Sequence, residues 1–416
     1  MKNLLIIGYL WPEPASSAAG SRMMQLIDLF REKDWEITYA SPASNQEFSI
    51  NLAELGIEKK QIKTNDSSFD EYLKAESFTA VMFDRFMMEE QFGWRVSENC
   101  PNAIRILDTE DLHFFRKARY EAFKQGRSLK KTDLHSDEAR REIASILRCD
   151  LSLIISEAET QLLIEKFNIQ PSLLRYIPFL VEEQPEDKLA EFPTFQQRND
   201  FMFIGNFLHA PNWDAVLYLK NNIWPLVKKQ LPKAKLHIYG AYTTEKVKQL
   251  ENKKEGFLVE GRVNNAAEKF QQTRILLAPL RFGAGIKGKF IEAMINGTPS
   301  VTTTIGAEGI CGINPWNGEI ANDDKTIAEA AVTLYKNEKR WTKAQQFGTR
   351  ILQNRFQKAT FKNLLFEEIQ YLEENLETHR SKNFMGSMLM HHTLKSTKYM
   401  ALWIEAKNKL ANQKND

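Results

Sequence analysis

Between Arg281 and Met294 the chain reads RFGAGIKGKFIEAM, with glycines at 283, 285 and 288, lysines at 287 and 289, and a carboxylate at Glu292. Glycines let a backbone approach a ligand closely, and the amides that open a following helix point outward with the positive end of its dipole. With two lysines added, the run has the chemistry of a pyrophosphate cradle. Glu292, in the first or second turn of that helix, is close enough to accept hydrogen bonds from sugar hydroxyls beside the phosphates. Two other phosphate patterns fit less well. As Gly-x-Gly-x-x-Gly the run follows the fourth strand of its domain, whereas a dinucleotide fingerprint follows the first. As Gly-x4-Gly-Lys it carries Phe290 where Ser or Thr must hold magnesium. A turn that merely packs a helix on a sheet would need none of this chemistry, and the run alone leaves that open.

These residues need elements to position them. Leu4–Ile7 is a short apolar run, followed by a loop reaching Gly20 and then Met23, Met24, Ile27, Leu29 and Phe30 at helical spacing. Further strands are expected at 36–40, 80–83, 103–107 and 151–155. Residues 116–147 are highly charged and read as a helical excursion. The stretch from Val181 to Asp200 is acidic, contains two prolines and lacks periodicity, as a linker would. A second alternating series follows, with strands at 201–204, 235–239, 257–260, 275–278 and 300–303 and helices at 215–231 and 287–295. Helices continue from Lys325 to about Leu376. Alternation of helices with nearly all-apolar strands implies parallel sheets covered on both faces. The fold class is α/β. Its expected parts are a first Rossmann-like domain over 1–185, a linker over 186–200, a second over 201–360, and a helical segment over 361–416 that packs back on the first domain.

At 416 residues the chain exceeds what one core covers, so two domains are the default. Its net charge of +2 supplies no field that would draw nucleic acid. Cys100, Cys149 and Cys311 are too scattered for a zinc site or a disulfide framework, which suits a reducing compartment. The N-terminal run is too brief for a signal peptide, and no stretch of about 18 apolar residues marks a membrane span. A cytoplasmic protein is expected, with peripheral contact at the inner face of a membrane left open. His391 and His392 are adjacent and lack the spaced partners that a metal site requires.

Residues 201–309 resemble the donor domain of retaining glycosyltransferases with two facing Rossmann-like domains, the GT-B type of glycosyl transferases group 1. The resemblance runs through FIGNFLHAPNWDA from Phe203, LPKAKLHIYG from Leu231, EGRV from Glu260, the 281–294 run, and GTPSVTTTIGAEG from Gly297. It implies that Glu292 binds the nucleotide ribose and that the backbone of Gly285, Ile286 and Lys287 contacts the diphosphate. Arg262 and Val263 stand where the base is bracketed. Two positions depart from the pattern. Ala284 replaces a carboxylate eight residues before Glu292, and Asn206 and Asn212 stand in a loop that often carries Arg and Lys. Lys287 and Lys289 are then the cations left to meet the diphosphate. The first 180 residues resemble the acceptor domain through the first strand, the loop to Gly20, and LDTEDLH from Leu107.

The resemblance implies a hexosyl-type, metal-independent transferase that needs no cofactor. It would move a sugar from a nucleoside-diphosphate donor to a glycan, glycolipid or glycoprotein hydroxyl in bacterial surface glycan synthesis. Ligands in such sheets bind beyond the carboxyl ends of strands, so Gly20, Asp84-Arg85 and Asp108 to His113 should face the cleft. Asp108, Glu110 and His113 are the candidates to orient an acceptor hydroxyl, although Asp108 could equally cap a helix and Ser21 could cap the helix after Gly20. An epimerase on the same scaffold, or a silent nucleotide-sugar-binding subunit of a transferase complex, remain alternatives.

Overall fold

A computed structural model describes residues 2–45, 47–183 and 188–412. Residues 184–187 of the expected linker, residues 413–416 of the expected C-terminal segment and the side chain of His392 lie outside the described residues.

The first sheet comprises β1 (Asn3–Ile7), β2 (Glu36–Ser41), β3 (Glu58–Gln61), β4 (Ala80–Asp84), β5 (Ile104–Asp108), β6 (Leu151–Ile154) and β7 (Leu174–Tyr176). They are parallel in the order β3-β2-β1-β4-β5-β6-β7. The second comprises β8 (Asn199–Ile204), β9 (Leu236–Tyr239), β10 (Phe257–Gly261), β11 (Thr273–Ala278), β12 (Ser300–Thr302) and β13 (Gly318–Ile320), ordered β10-β9-β8-β11-β12-β13. Helices cover both faces, so β1, β4 and β11 bury residues that point either way and read as unbroken apolar runs. Each order reverses once, between β1 and β4 and between β8 and β11. At such a switch point the loops diverge to opposite faces and leave a crevice at the carboxyl ends.

Several boundaries differ from the sequence expectation. β3 is the charged run Glu-Lys-Lys-Gln on a sheet edge, where one side of the ladder faces solvent and no apolar pattern is required. β7 and β13 are three residues each, too short to show a period. The charged excursion is two helices, His113–Lys124 and Asp137–Arg148. The expected helix over 215–231 begins earlier, at Ala210, and passes through a π-helical turn at Leu219–Ile223 before Trp224–Gln230. Pro225 lacks the N–H that would continue the ladder, and the wider turn absorbs that break.

The linker also ends sooner than 200. Asn199 and Asp200 open β8, and Arg198 is fully buried, donating to the carbonyls of Phe270 (2.9 Å) and Asn296 (2.8 Å) and to Thr298 Oγ1 (2.8 Å). At the other crossing, the Val181 amide donates to Phe356 O at 2.7 Å and the Lys358 amide to Val181 O at 2.9 Å. The helix Lys358–Lys382 leaves the second domain there, three residues before the expected boundary. Its Leu365, Ile369 and Leu372 share one face and are buried with Leu4, Ile6 and Phe30 of the first domain. A last helix, Phe384–Asn412, follows it along the first domain.

Candidate active site

A cavity of about 660 Å³ lies between the carboxyl ends of the two sheets, where both switch points meet. The loop after β11 enters it as the 281–294 run. Its helix starts at Gly288, so the amides of Gly288 and Lys289, which have no preceding turn to bond, are presented at the cavity wall, while the Phe290 amide donates to Lys287 O at 3.0 Å. Lys287, Lys289, Glu292 and Ile286 line that wall, and Asn206, Arg262 and Val263 line the part formed by the loops after β8 and β10. Lys289 Nζ donates to Asn212 Oδ1 at 2.6 Å, and Asn212 Nδ2 donates to Asn206 O at 2.9 Å. Asn212, expected in the loop after β8, lies in the first turn of the helix that opens at Ala210, and from there it aims Lys289.

Desolvation dominates the charges here. It pushes Lys289 down to about 7, against the pull of Glu292, and pushes Glu292 up to about 7, against Lys289. Lys287, whose Nζ donates to Gly285 O at 2.8 Å, falls to about 8 by burial and the nearby Arg119, while Glu308 opposes the shift.

From the first domain, Arg85, Glu110 and His113 line the opposite wall. Arg85 follows β4 with φ 70° and Glu110 follows β5 with φ 62°, left-handed conformations that non-glycine residues rarely adopt. Both strands thus end in a sharp turn that directs a titratable side chain at the cavity. Burial, then the charge of Asp108, raises Glu110 to about 8, and burial lowers His113 to about 4, so its imidazole is neutral at pH 7.

Three expected site residues lie elsewhere. Asp108 is wholly buried and receives two nitrogens of Arg22, Nε at 3.0 Å and Nη2 at 2.8 Å, while Arg22 Nη1 reaches Ile177 O at 2.6 Å. It is an internal brace, since an unpaired carboxylate there would be costly. Gly20 sits inside the helix Ala18–Arg31, where a Cβ would come within 2.5 Å of the Glu13 backbone. The cap is Ser17, which accepts from the Gly20 amide at 3.0 Å; Ser21 instead bonds Pro14 O at 2.8 Å. The loop does reach the cavity, but through Pro14 to Ala19. Gly285 is buried, and its amide donates to Glu159 Oε1 at 2.7 Å, so that amide is already taken.

Glu159 was not evident from sequence, nor was His209, which lines the cavity beside Asn206. Glu159 lies in the helix Glu157–Phe167 that follows β6, so the strand-end position that marked Asp84 and Asp108 gives no signal for it. The bond from the Gly285 amide to Glu159 ties the two domains, and within the first domain Glu159 also accepts from the Leu112 amide at 3.2 Å. Other ties are Arg119 to Glu308 at 2.6 and 2.7 Å, Tyr242 to Glu13 at 2.8 Å, and Phe282 against Tyr120 and Phe123 at 4.8 and 5.3 Å between ring centres. Among the described residues no group of three or more His, Cys, Asp or Glu could hold a metal ion.

Residues 198–337 match the family model of glycosyl transferases group 1. Over 158 residues the chain is 31% identical to an uncharacterized 44.6 kDa protein in the cps region of Klebsiella pneumoniae. That stretch covers 35% of this chain and only 40% of the relative. Among solved structures, a mutant of S. aureus TarM crystallised with Fondaparinux, alpha-GlcNAc-glycerol and UDP superposes with a TM-score of 0.68 at 11% identity, covering 89% of this chain and all of that one. HepE of Anabaena in complex with UDP gives 0.66 at 12% over the same shares, 89% and 100%. Sucrose-phosphate synthase from Thermosynechococcus elongatus gives 0.65 at 14%, covering 89% and 99%. At such identities what is shared is the fold, and it is shared across both domains. The segment from 198 to 337 is thus similar to glycosyl transferases group 1, within a chain that has the GT-B fold.

Proposed function

We propose that this protein transfers a hexosyl-type sugar from a nucleoside-diphosphate sugar to a hydroxyl acceptor, with retention and without a metal, in cytoplasmic synthesis of a bacterial surface glycan. The observation that carries this is the convergence of Lys287, Lys289 and Glu292 on one wall of the interdomain cavity. In this reading Glu292 accepts the ribose hydroxyls, and the lysines with the amides of Gly288 and Lys289 hold the diphosphate and stabilise it as it departs. Glu110 and His113 orient the acceptor hydroxyl. The domain ties exclude water so that transfer outruns hydrolysis. UDP in the TarM and HepE crystals, and the cps location of the Klebsiella relative, support the donor class and the pathway class.

The test is a screen of UDP, GDP, ADP and TDP sugars by calorimetry, together with slow donor hydrolysis. One nucleotide sugar should bind and be hydrolysed slowly to free sugar and nucleoside diphosphate. If none binds, the reading fails.

A pH dependence follows from the same three side chains. Diphosphate binding needs charged lysines and an ionised Glu292. The lysines lose their protons through about 7 and about 8, and Glu292 gains one below about 7. Affinity is expected to peak near about 7, where Lys289 and Glu292 are each half in the required form and Lys287 is still charged, with protons taken up on binding at the alkaline side, because the bound anion raises the lysine pKa. Calorimetry in buffers of different ionisation enthalpy reads that uptake directly; binding with no proton uptake would contradict the assignment.

A further inference from the structure

The last helix, Phe384–Asn412, packs on the first domain by one side only. Ala401 is buried against Trp94, Glu405 turns inward at 6% exposure, and Asn383 Nδ2, just before the helix, donates to Leu147 O at 2.7 Å. The other side is apolar and bare. Trp403 is 60% exposed, Tyr399 67%, Met400 59% and Leu410 60%, and near the start Phe384 and Met385 are 70% and 53% exposed. At about 3.6 residues per turn Met385 and Trp403 are roughly five turns apart and share one azimuth, with Tyr399 and Leu410 close beside it. Isolated exposed hydrophobics are ordinary on a surface, but Tyr399, Met400 and Trp403 stand together within about one turn, and large ones grouped in this way mark a contact face.

Charge decides what that face meets. The helix holds four lysines (395, 398, 407 and 409) and one acid, and that acid is the inward-facing Glu405. Lys407 lies over the Trp403 ring at 5.3 Å, Lys409 spans to Glu405 at 2.8 Å while 64% exposed, and Lys398 reaches Glu98 at 2.7 Å. An apolar patch with Trp and Tyr, bordered by Lys407 and Lys409 and with the helix's own acid turned inward, is complementary to an anionic lipid surface, with the rings at headgroup depth. A second copy would bring the same lysines against lysines. No helix of the described residues is long and apolar enough to cross a membrane, so this one would lie in the interface plane.

We infer that the helix Phe384–Asn412 docks the first domain on anionic membranes through its outward Trp403, Tyr399 and Met400 stripe, whatever the cleft binds. The experiment is co-sedimentation of the full chain with vesicles of phosphatidylcholine alone and of phosphatidylcholine with phosphatidylglycerol. Binding is expected only to the anionic vesicles, weakened by salt. Tyr399→Ser with Trp403→Ser should reduce it at least roughly tenfold, and Lys407→Gln roughly fivefold, because each cation near an anionic surface contributes about that factor. All three side chains are exposed, and circular dichroism checks that the variants stay folded. Absence of binding to either vesicle, or binding unchanged in the serine variant, overturns the proposal. So does a dimer in sedimentation equilibrium that the serine variant dissociates, since the stripe would then serve a second copy.

Discussion

Replacing Glu292 by alanine is expected to weaken nucleoside-diphosphate binding by one to two orders of magnitude while the chain remains folded. The carboxylate is half-buried in the cavity wall, and burial, against the pull of Lys289, raises it to about 7. A hydrogen bond from a ligand hydroxyl to such a group contributes about 1.5–3 kcal/mol, because the ligand restores the solvation that folding removed. The deletion is tolerable for the empty protein, since it also relieves a buried charge. Glu292→Gln keeps an acceptor oxygen and should recover part of the loss. Calorimetric titration of the two variants with the nucleotide found by the screen checks the order alanine, glutamine, wild type. Equal affinity across all three would remove Glu292 from the site.

The second large effect is expected at Gly285. Its backbone has φ 62°, and a Cβ would stand 2.8 Å from the Asp111 Cβ and 3.3 Å from Ile155, both in the other domain. Alanine there is strained in its own backbone by about 1 kcal/mol and blocks the seat of the loop on the first domain. Because the clash is between domains, each domain should fold normally while closure fails. Gly285→Ala is therefore expected to lower turnover at least about tenfold, with nucleotide binding less affected and donor hydrolysis gaining over transfer, as water enters an open cleft. Small-angle scattering with nucleotide present should show a larger radius of gyration than the wild type. A variant as compact and as active as the wild type would mean that closure does not use this contact. The same reasoning explains why this run is rich in glycine. A Cβ at Gly288 would lie 3.1 Å from Ala18 and 3.2 Å from Phe179, so two of its glycines are points of close approach between domains, in addition to any approach to a ligand.

The two-sheet α/β architecture and the cavity wall made by Lys287, Lys289 and Glu292 are legible in the residue pattern alone. Strands buried on both faces must be apolar throughout, so β1, β4 and β11 show as unbroken runs. A loop that follows such a strand faces the carboxyl edge whatever its neighbours do. Charged β3 and three-residue β7 and β13 escaped, because an edge or a very short strand need not carry a pattern. What only the tertiary structure decided was which partner each buried polar group found. Asp108 looked like a cleft carboxylate until Arg22, far back in the chain, proved to occupy it. Gly285 looked like a phosphate amide until Glu159 of the other domain proved to hold it. Helix Lys358–Lys382 follows the second domain in sequence yet completes the core of the first. Periodicity records whether a residue meets core or water along its own element. The identity of a distant partner depends on how whole elements pack, and no local pattern carries that.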